Sequence, residues 1–248
     1  MRRTCQSAIV ALLLAPAAHW ALAGAVSGKV VLVNSDGTPL KKRDYSGVVV
    51  WLDPAGPTSR PASSEPRQAV LDQRNKAFLP HLLAVEVGTA VDFPNSDAIF
   101  HNAFSNGDGQ IFDVGVYPPK TSRRVVFRRP GMVRVFCNVH EGMSALIAVL
   151  PTPYFAVTGT DGSFQIKAPA GSYRLRFWHE QAQVEALSRL ERQLALGEAA
   201  ASLPEILMPQ SSAPLPPHKN KYGQEYFQQA EEHILYPGSQ RYYAGGRR

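Results

Sequence analysis

One short stretch, Phe136-Cys-Asn-Val-His-Glu-Gly-Met143, gathers three metal-binding side chains: the Cys137 thiol, the His140 imidazole and the Met143 thioether. The strand-like run Gly131 to Phe136 enters it, and the apolar run Ser144 to Leu150 leaves it. A trigonal set of two His and one Cys with a weak axial Met suits copper in both of its common oxidation states. The loop supplies three of those four ligands, so a second His has to come from elsewhere. His101, which follows an Asn-Ser-Asp turn and precedes Asn102, is the first candidate, and His81 is the alternative. His179, after Trp178, reads as structural; His218 and His233 fall in the C-terminal tail and His19 in the leader.

Cysteine usage narrows the choice. The sequence has two cysteines. Cys5 lies in a segment with the form of an export signal: Met1-Arg-Arg is basic, Ala8 to Ala18 is apolar, and Ala21-Leu-Ala23 is a small-x-small cleavage site. The apolar run is short and broken by Pro16, which argues against a membrane anchor. Residues 1–23 therefore read as a signal peptide, with the mature chain in the periplasm and no integral membrane segment left after cleavage. Cys137 is then the sole cysteine and cannot form an internal disulfide. In an oxidising compartment a free thiol is a liability unless a metal occupies it. A closed zinc site of two His and one Cys would not need Met143. A binuclear copper centre would need a second Cys, and a red-copper site would use Glu141, which sits awkwardly between ligands.

These motifs resemble a known family. Cys-x-x-His-x-x-Met closing a strand resembles the ligand loop of the cupredoxins, the type 1 blue-copper proteins, in its short form. Val87-Gly88 through Asn95-Ser-Asp97, followed by Phe100-His101-Asn102, resembles the plastocyanin pattern around the first copper His. Thr152-Pro-Tyr-Phe-Ala and Arg176-Phe-Trp-His179 are similar to cupredoxin-like methylamine utilization proteins, although Glu141-Gly142 stands where those usually carry Asp-Trp. The resemblance implies one copper ion held by His101, Cys137, His140 and Met143. It implies that His140 reaches the surface to pass the electron, that Asn102 ties the two ligand loops together, and that Asn138 belongs to the same supporting shell.

The elements that must position these residues are strands. Twenty prolines and nineteen glycines in 248 residues point to many turns, and the expected fold is all-β. Short strands are expected at about 68–72, 83–87, 89–93, 98–104, 122–127, 131–137 and 144–150, a spacing that suits a Greek-key sandwich over residues 67–150. Val85, Val87, Val91 and Phe93 alternate as on a half-buried sheet face. Gly47 to Leu52 is apolar enough to be buried on both faces. The run Thr160-Asp-Gly-Ser-Phe-Gln-Ile-Lys-Ala-Pro-Ala-Gly resembles the carboxypeptidase-regulatory, or transthyretin-like, sandwich. On that reading residues 24–66, including a Pro/Ser-rich linker, pair with 151–210, and the cupredoxin unit is inserted between them. A single continuous β unit is the other reading. Strands are expected at 154–158, 163–167, 172–178, 183–187 and 203–208. Residues 211–248 read as a mobile tail with one short helix over 222–235.

The formal charge of +6 falls to +4 on cleavage, because Arg2 and Arg3 leave with no acid. That mild excess is compatible with an acidic redox partner. The basic run Arg123-Arg124 to Arg128-Arg129 flanks a strand and reads as solvated edge charge, not as a nucleic-acid site. Gly-x-Ser-x-Gly, His-Glu-x-x-His and phosphate-loop motifs are absent, so the chain reads as a binding protein and not an enzyme. Two functions fit: a one-electron carrier that serves a redox partner protein, and a periplasmic Cu(I)-handling protein. In a third, the second sandwich is the binding module and copper is incidental.

Overall fold

A computed structural model describes residues 23–56, 67–107, 109–213 and 218–226. Residues 1–22 of the expected signal peptide and most of the linker lie outside this set. Two strands come first, β1 (Ala23–Asn34) and β2 (Val49–Pro54). Ten follow: β3 (Gln68–Val70), β4 (Asp72–Arg74), β5 (Ala77–Leu79), β6 (Leu82–Glu86), β7 (Ala90–Pro94), β8 (His101–Ser105), β9 (Phe112–Tyr117), β10 (Ser122–Val126), β11 (Gly131–Phe136) and β12 (Ser144–Leu150). The last set is β13 (Phe155–Val157), β14 (Ser163–Pro169), β15 (Gly171–Trp178), the helix α1 (Val184–Leu190), β16 (Arg192–Leu196), β17 (Ala201–Ser202) and β18 (Ile206–Gln210). Among the described residues the fold is all-β apart from α1.

The middle set forms its own sandwich. One sheet runs β6-β12-β11-β8-β9 and the other β10-β7-β3, with β4 and β5 as a separate hairpin. Leu71, Phe78, Val85, Val91, Phe93, Tyr117, Phe127, Val133, Val135 and Ile147 fill the space between, and Cys137, Val139 and Met143 join the same cluster. The alternation of Val91 and Phe93 with half-buried Asp92 and Pro94 produces this face directly. Strand β9 was not expected from sequence. Its pairing with β8 slips between Asn102 and Phe104, placing an extra residue in β9. Gly115 occupies the bulge at φ 70°, a left-handed conformation that glycine adopts without a Cβ penalty.

The first and last strands form a second sandwich. β1 pairs antiparallel with β14 and then parallel with β18, while β2 lies between β13 and β15. In the sheets of the described residues neither pairs with a strand of 68–150. The core of this second sandwich holds Val30, Val50, Leu52, Ile166, Leu175 and Phe177. The strand expected at 183–187 is instead α1. Leu187 and Leu190, three residues apart, pack on that core, and Glu185 and Arg189 sit at the ends that suit the helix dipole.

The two sandwiches meet where β2 and β12 are buried on both faces. Val49, Ala148 and Leu150 form the junction, with Trp51, Leu82, Phe155 and Trp178 around them. Fully burying one such aliphatic side chain contributes about 1.5–3 kcal/mol, against about 0–1 kcal/mol for an exposed ion pair, so apolar packing dominates the junction. A polar contact lies beside it. His81 Nε2 is 2.9 Å from Glu180 Oε2, His81 Nδ1 is 3.3 Å from the Ser144 carbonyl, and Arg134 donates to Glu180 Oε1 at 3.1 Å.

Both His81 ring nitrogens face acceptors, so the imidazolium satisfies them best. The hydrogen bond with Glu180 raises the His81 pKa above its ordinary value, with burial and Arg134 opposing. A raised folded-state pKa gives stability that is full below the unfolded value of about 6.5 and fades as pH rises through the folded one. The urea midpoint of the wild type minus that of His81→Leu should therefore be larger at pH 6 than at pH 8.5. A difference that does not change with pH would remove His81 as a titrating contact.

Candidate metal centre

The site forms at one end of the middle sandwich, where β8 and the β11–β12 connection meet. Phe136 pairs with Ser144 across β11 and β12, so residues 137–143 form a closed loop. Inside it the Cys137 N–H donates to the Met143 carbonyl at 3.1 Å and the Met143 N–H to the His140 carbonyl at 3.2 Å. His101 opens β8, all five residues of which are buried.

His101, Cys137 and His140 converge. Cys137 Sγ lies 3.9 Å from His101 Nδ1 and 3.7 Å from His140 Nδ1, and the three donor atoms lie within 4.8 Å of one another. Two donors each about 2.0–2.3 Å from a common ion and about 120° apart would be roughly 3.7 Å from each other. The donors thus stand where an ion would hold them. Met143 is buried at the end of the same loop, in the same core cluster as Cys137. His81 lies at the junction and takes no part in the cluster.

Each histidine presents the same nitrogen. His101 Nε2 is 2.8 Å from Asp97 Oδ2. A carboxylate only accepts, so Nε2 carries the hydrogen and Nδ1 offers its lone pair to the cluster. Burial lowers the His101 pKa despite the opposing Asp97 bond, which keeps the ring neutral. Asp97 is held in turn by the hairpin: the N–H groups of Asn75 and Lys76 donate to its two oxygens at 2.6 and 2.9 Å. Both residues have positive φ, 56° and 54°, as a two-residue type I′ turn requires. For Lys76 that conformation is strained, and the charge-assisted bonds compensate. Burial pushes the Asp97 carboxyl up, but the N–H groups of Lys76, His101 and Asn75 outweigh it and its pKa is lowered.

Burial pushes the Cys137 thiol up, while the backbone N–H groups of Asn102, Val139 and His140 pull it down; burial prevails. A thiol in such a place ionises when a cation arrives to share the charge. Asn102 spans the two ligand segments. Its Oδ1 accepts the Asn138 N–H at 3.2 Å, and its Nδ2 donates to Asp113 Oδ1 and the Gly115 carbonyl at 2.8 and 2.9 Å.

The Asn138 side chain turns outward and accepts the Lys221 N–H at 2.9 Å. This corrects one expectation. Residues 218–226, read as part of a mobile tail, lie against the ligand loop, and 221–226 are not helical. The rest of the helix expected over 222–235 lies outside the described residues. Asp97, Asp113 and Tyr226 are site neighbours that sequence reasoning did not assign. The basic edge is partly neutralised, since Arg124 makes a bidentate pair with Asp92 at 2.7 and 2.8 Å.

No protein-family profile matches the chain. It is 39% identical over 59 residues to the methylamine utilization protein MauL of Methylorubrum extorquens, an overlap of 23% of this chain and 52% of MauL. The chain thus spans about half the length of that relative. Among solved structures, the purple cupredoxin of Nitrosopumilus maritimus is similar over 33% of this chain and 99% of its own, with 22% identity and a TM-score of 0.31. A Cu(I) amicyanin variant is similar over 34% and 82%, with 19% identity and a TM-score of 0.32. The Cu-containing nitrite reductase of Thermus scotoductus is similar over 49% and 28%, with 24% identity and a TM-score of 0.33. Among the described residues, no helix is long and apolar enough to cross a membrane.

Proposed function

We propose that the chain is an exported, periplasmic, non-enzymatic carrier of single electrons, with one copper ion held by His101, Cys137, His140 and Met143. The observation that carries this is the convergence of two imidazole Nδ1 atoms on one buried thiol at 3.7 and 3.9 Å. Copper, when bound, supplies a one-electron change between Cu(I) and Cu(II). Asp97 and the 72–79 hairpin fix the His101 ring, and the buried strands around Cys137 exclude water. His140 is half-buried at the loop surface and is the ligand that an unidentified redox partner protein would approach. The test is a Cu(II) titration of the purified apoprotein followed by voltammetry. Intense visible absorption with one reversible wave supports the carrier. Tight Cu(I) binding without reversible oxidation would make the chain a copper-handling protein instead.

Met143 sets the potential in this reading. A thioether is soft and stabilises Cu(I) more than Cu(II). Met143→Gln supplies a harder oxygen, so the potential should fall; Met143→Leu supplies no donor, so it should rise or stay. A shift of about 59 mV needs only about 1.4 kcal/mol of differential binding. Equal potentials in all three proteins would remove Met143 from the ligands and leave it as packing beneath the loop.

A further inference from the structure

We propose that Tyr226 is a positioning residue of the metal centre, clamping the Cys137–Asn138 peptide from outside the sandwich. The proposal rests on the metal reading of the site. The Tyr226 hydroxyl donates to the Cys137 carbonyl at 2.6 Å. The N–H of the same peptide unit, on Asn138, donates to Asn102 Oδ1 at 3.2 Å. A peptide unit is planar, so holding its oxygen and its nitrogen fixes its plane and hence the backbone from which the Cys137 side chain leaves.

The clamp is anchored at further points. The Lys221 N–H donates to Asn138 Oδ1, and Lys221 Nζ donates to Asp113 Oδ2 at 2.7 Å. Asp113 Oδ1 receives Asn102 Nδ2, which closes a ring of hydrogen bonds through Asn138, Lys221, Asp113 and Asn102. His218 stacks on Phe136 with centroids 4.3 Å apart at 29°, and Tyr226 meets His218 edge-on at 5.2 Å. Within the ligand loop, backbone bonds run from Cys137 to Met143 and from Met143 to His140. With the segment in place, the sulfur keeps one direction whether or not a metal is bound, which is how a preorganised site limits rearrangement.

Tyr226→Phe in the full-length chain removes only the hydroxyl. In the apoprotein, iodoacetamide should alkylate Cys137 roughly fivefold faster than in the wild type, the change expected from one hydrogen bond lost from the closed state. Lys221→Ala, which cuts the link to Asp113, should also accelerate alkylation. Tyr222→Phe, in the same segment but 71% exposed, should not. In the copper-loaded protein, Tyr226→Phe should shift the visible band and the midpoint potential, and Tyr222→Phe should shift neither. Equal alkylation rates in the wild type, Tyr226→Phe and Lys221→Ala overturn the clamp whatever copper does. Faster alkylation with an unmoved band and potential overturns the positioning role and leaves Tyr226 as a cover. A wild type that takes up no copper sinks the metal reading, while faster alkylation in Tyr226→Phe still reports the clamp on Cys137.

Discussion

Cys137→Ser is expected to abolish the intense visible absorption of the copper-loaded protein while leaving the fold intact. The absorption needs a thiolate that shares charge with Cu(II), and a serine hydroxyl is harder and does not ionise at neutral pH. The replacement is nearly isosteric. Its cost is a hydroxyl in a fully buried position, which is about 1–3 kcal/mol if unsatisfied. A serine oxygen that accepts a neighbouring backbone N–H would keep the cost near the lower bound. Paired measurements decide it: the visible spectrum on Cu(II) titration and the urea midpoint. A band that survives in Cys137→Ser would end the thiolate assignment. A collapse of the urea midpoint would show that the sulfur mainly fills space in the core.

The grouping of Cys137, His140 and Met143 was legible because it is local. Cys137, His140 and Met143 lie within seven residues between two apolar runs, and β11 and β12 bring them together by pairing Phe136 with Ser144. His101 was legible through its turn and its Asn102 neighbour, although it lies 36 positions away. Asp97 was not. It stands four residues before His101, and only the 72–79 hairpin, folded back with two left-handed residues, makes it the partner of that ring. The bulge at Gly115 hid β9 by breaking its alternation. Helix α1 was misread because a seven-residue segment carries too few apolar positions to separate a period of 3.6 from one of 2. Contacts of 218–226 with the ligand loop span more than eighty positions, and nothing in a Pro- and Lys-rich stretch signals where it docks. β1 and β2 pair with strands beyond residue 151; no local pattern in the sequence signals that pairing, which rested only on the resemblance of the run from Thr160 to Gly171.

His101→Gly is expected to open a coordination position that added imidazole refills, restoring the visible band. His101 is fully buried, so the variant leaves a cavity of the ring's own shape, lined at one end by Asp97 Oδ2 and at the other by Cys137 Sγ. Free imidazole has the same two nitrogens: one N–H for Asp97 and one lone pair for the cluster. Rescue should be slow, because the ligand must pass through packed strands, and faster in His140→Gly, where the ring is half-buried at the loop surface. Asp97 should also govern its strength. Partners that orient a metal-bound histidine typically matter by about 10–100-fold in metal affinity. Asp97→Ala in the His101→Gly background should therefore weaken the imidazole midpoint by about that factor, without changing the wavelength of the restored band. Rescue by imidazole in His81→Gly but not in His101→Gly would move the fourth donor to the junction between the sandwiches. Equal rescue with and without Asp97 would leave that carboxylate as a brace for the Asn75-Lys76 turn alone.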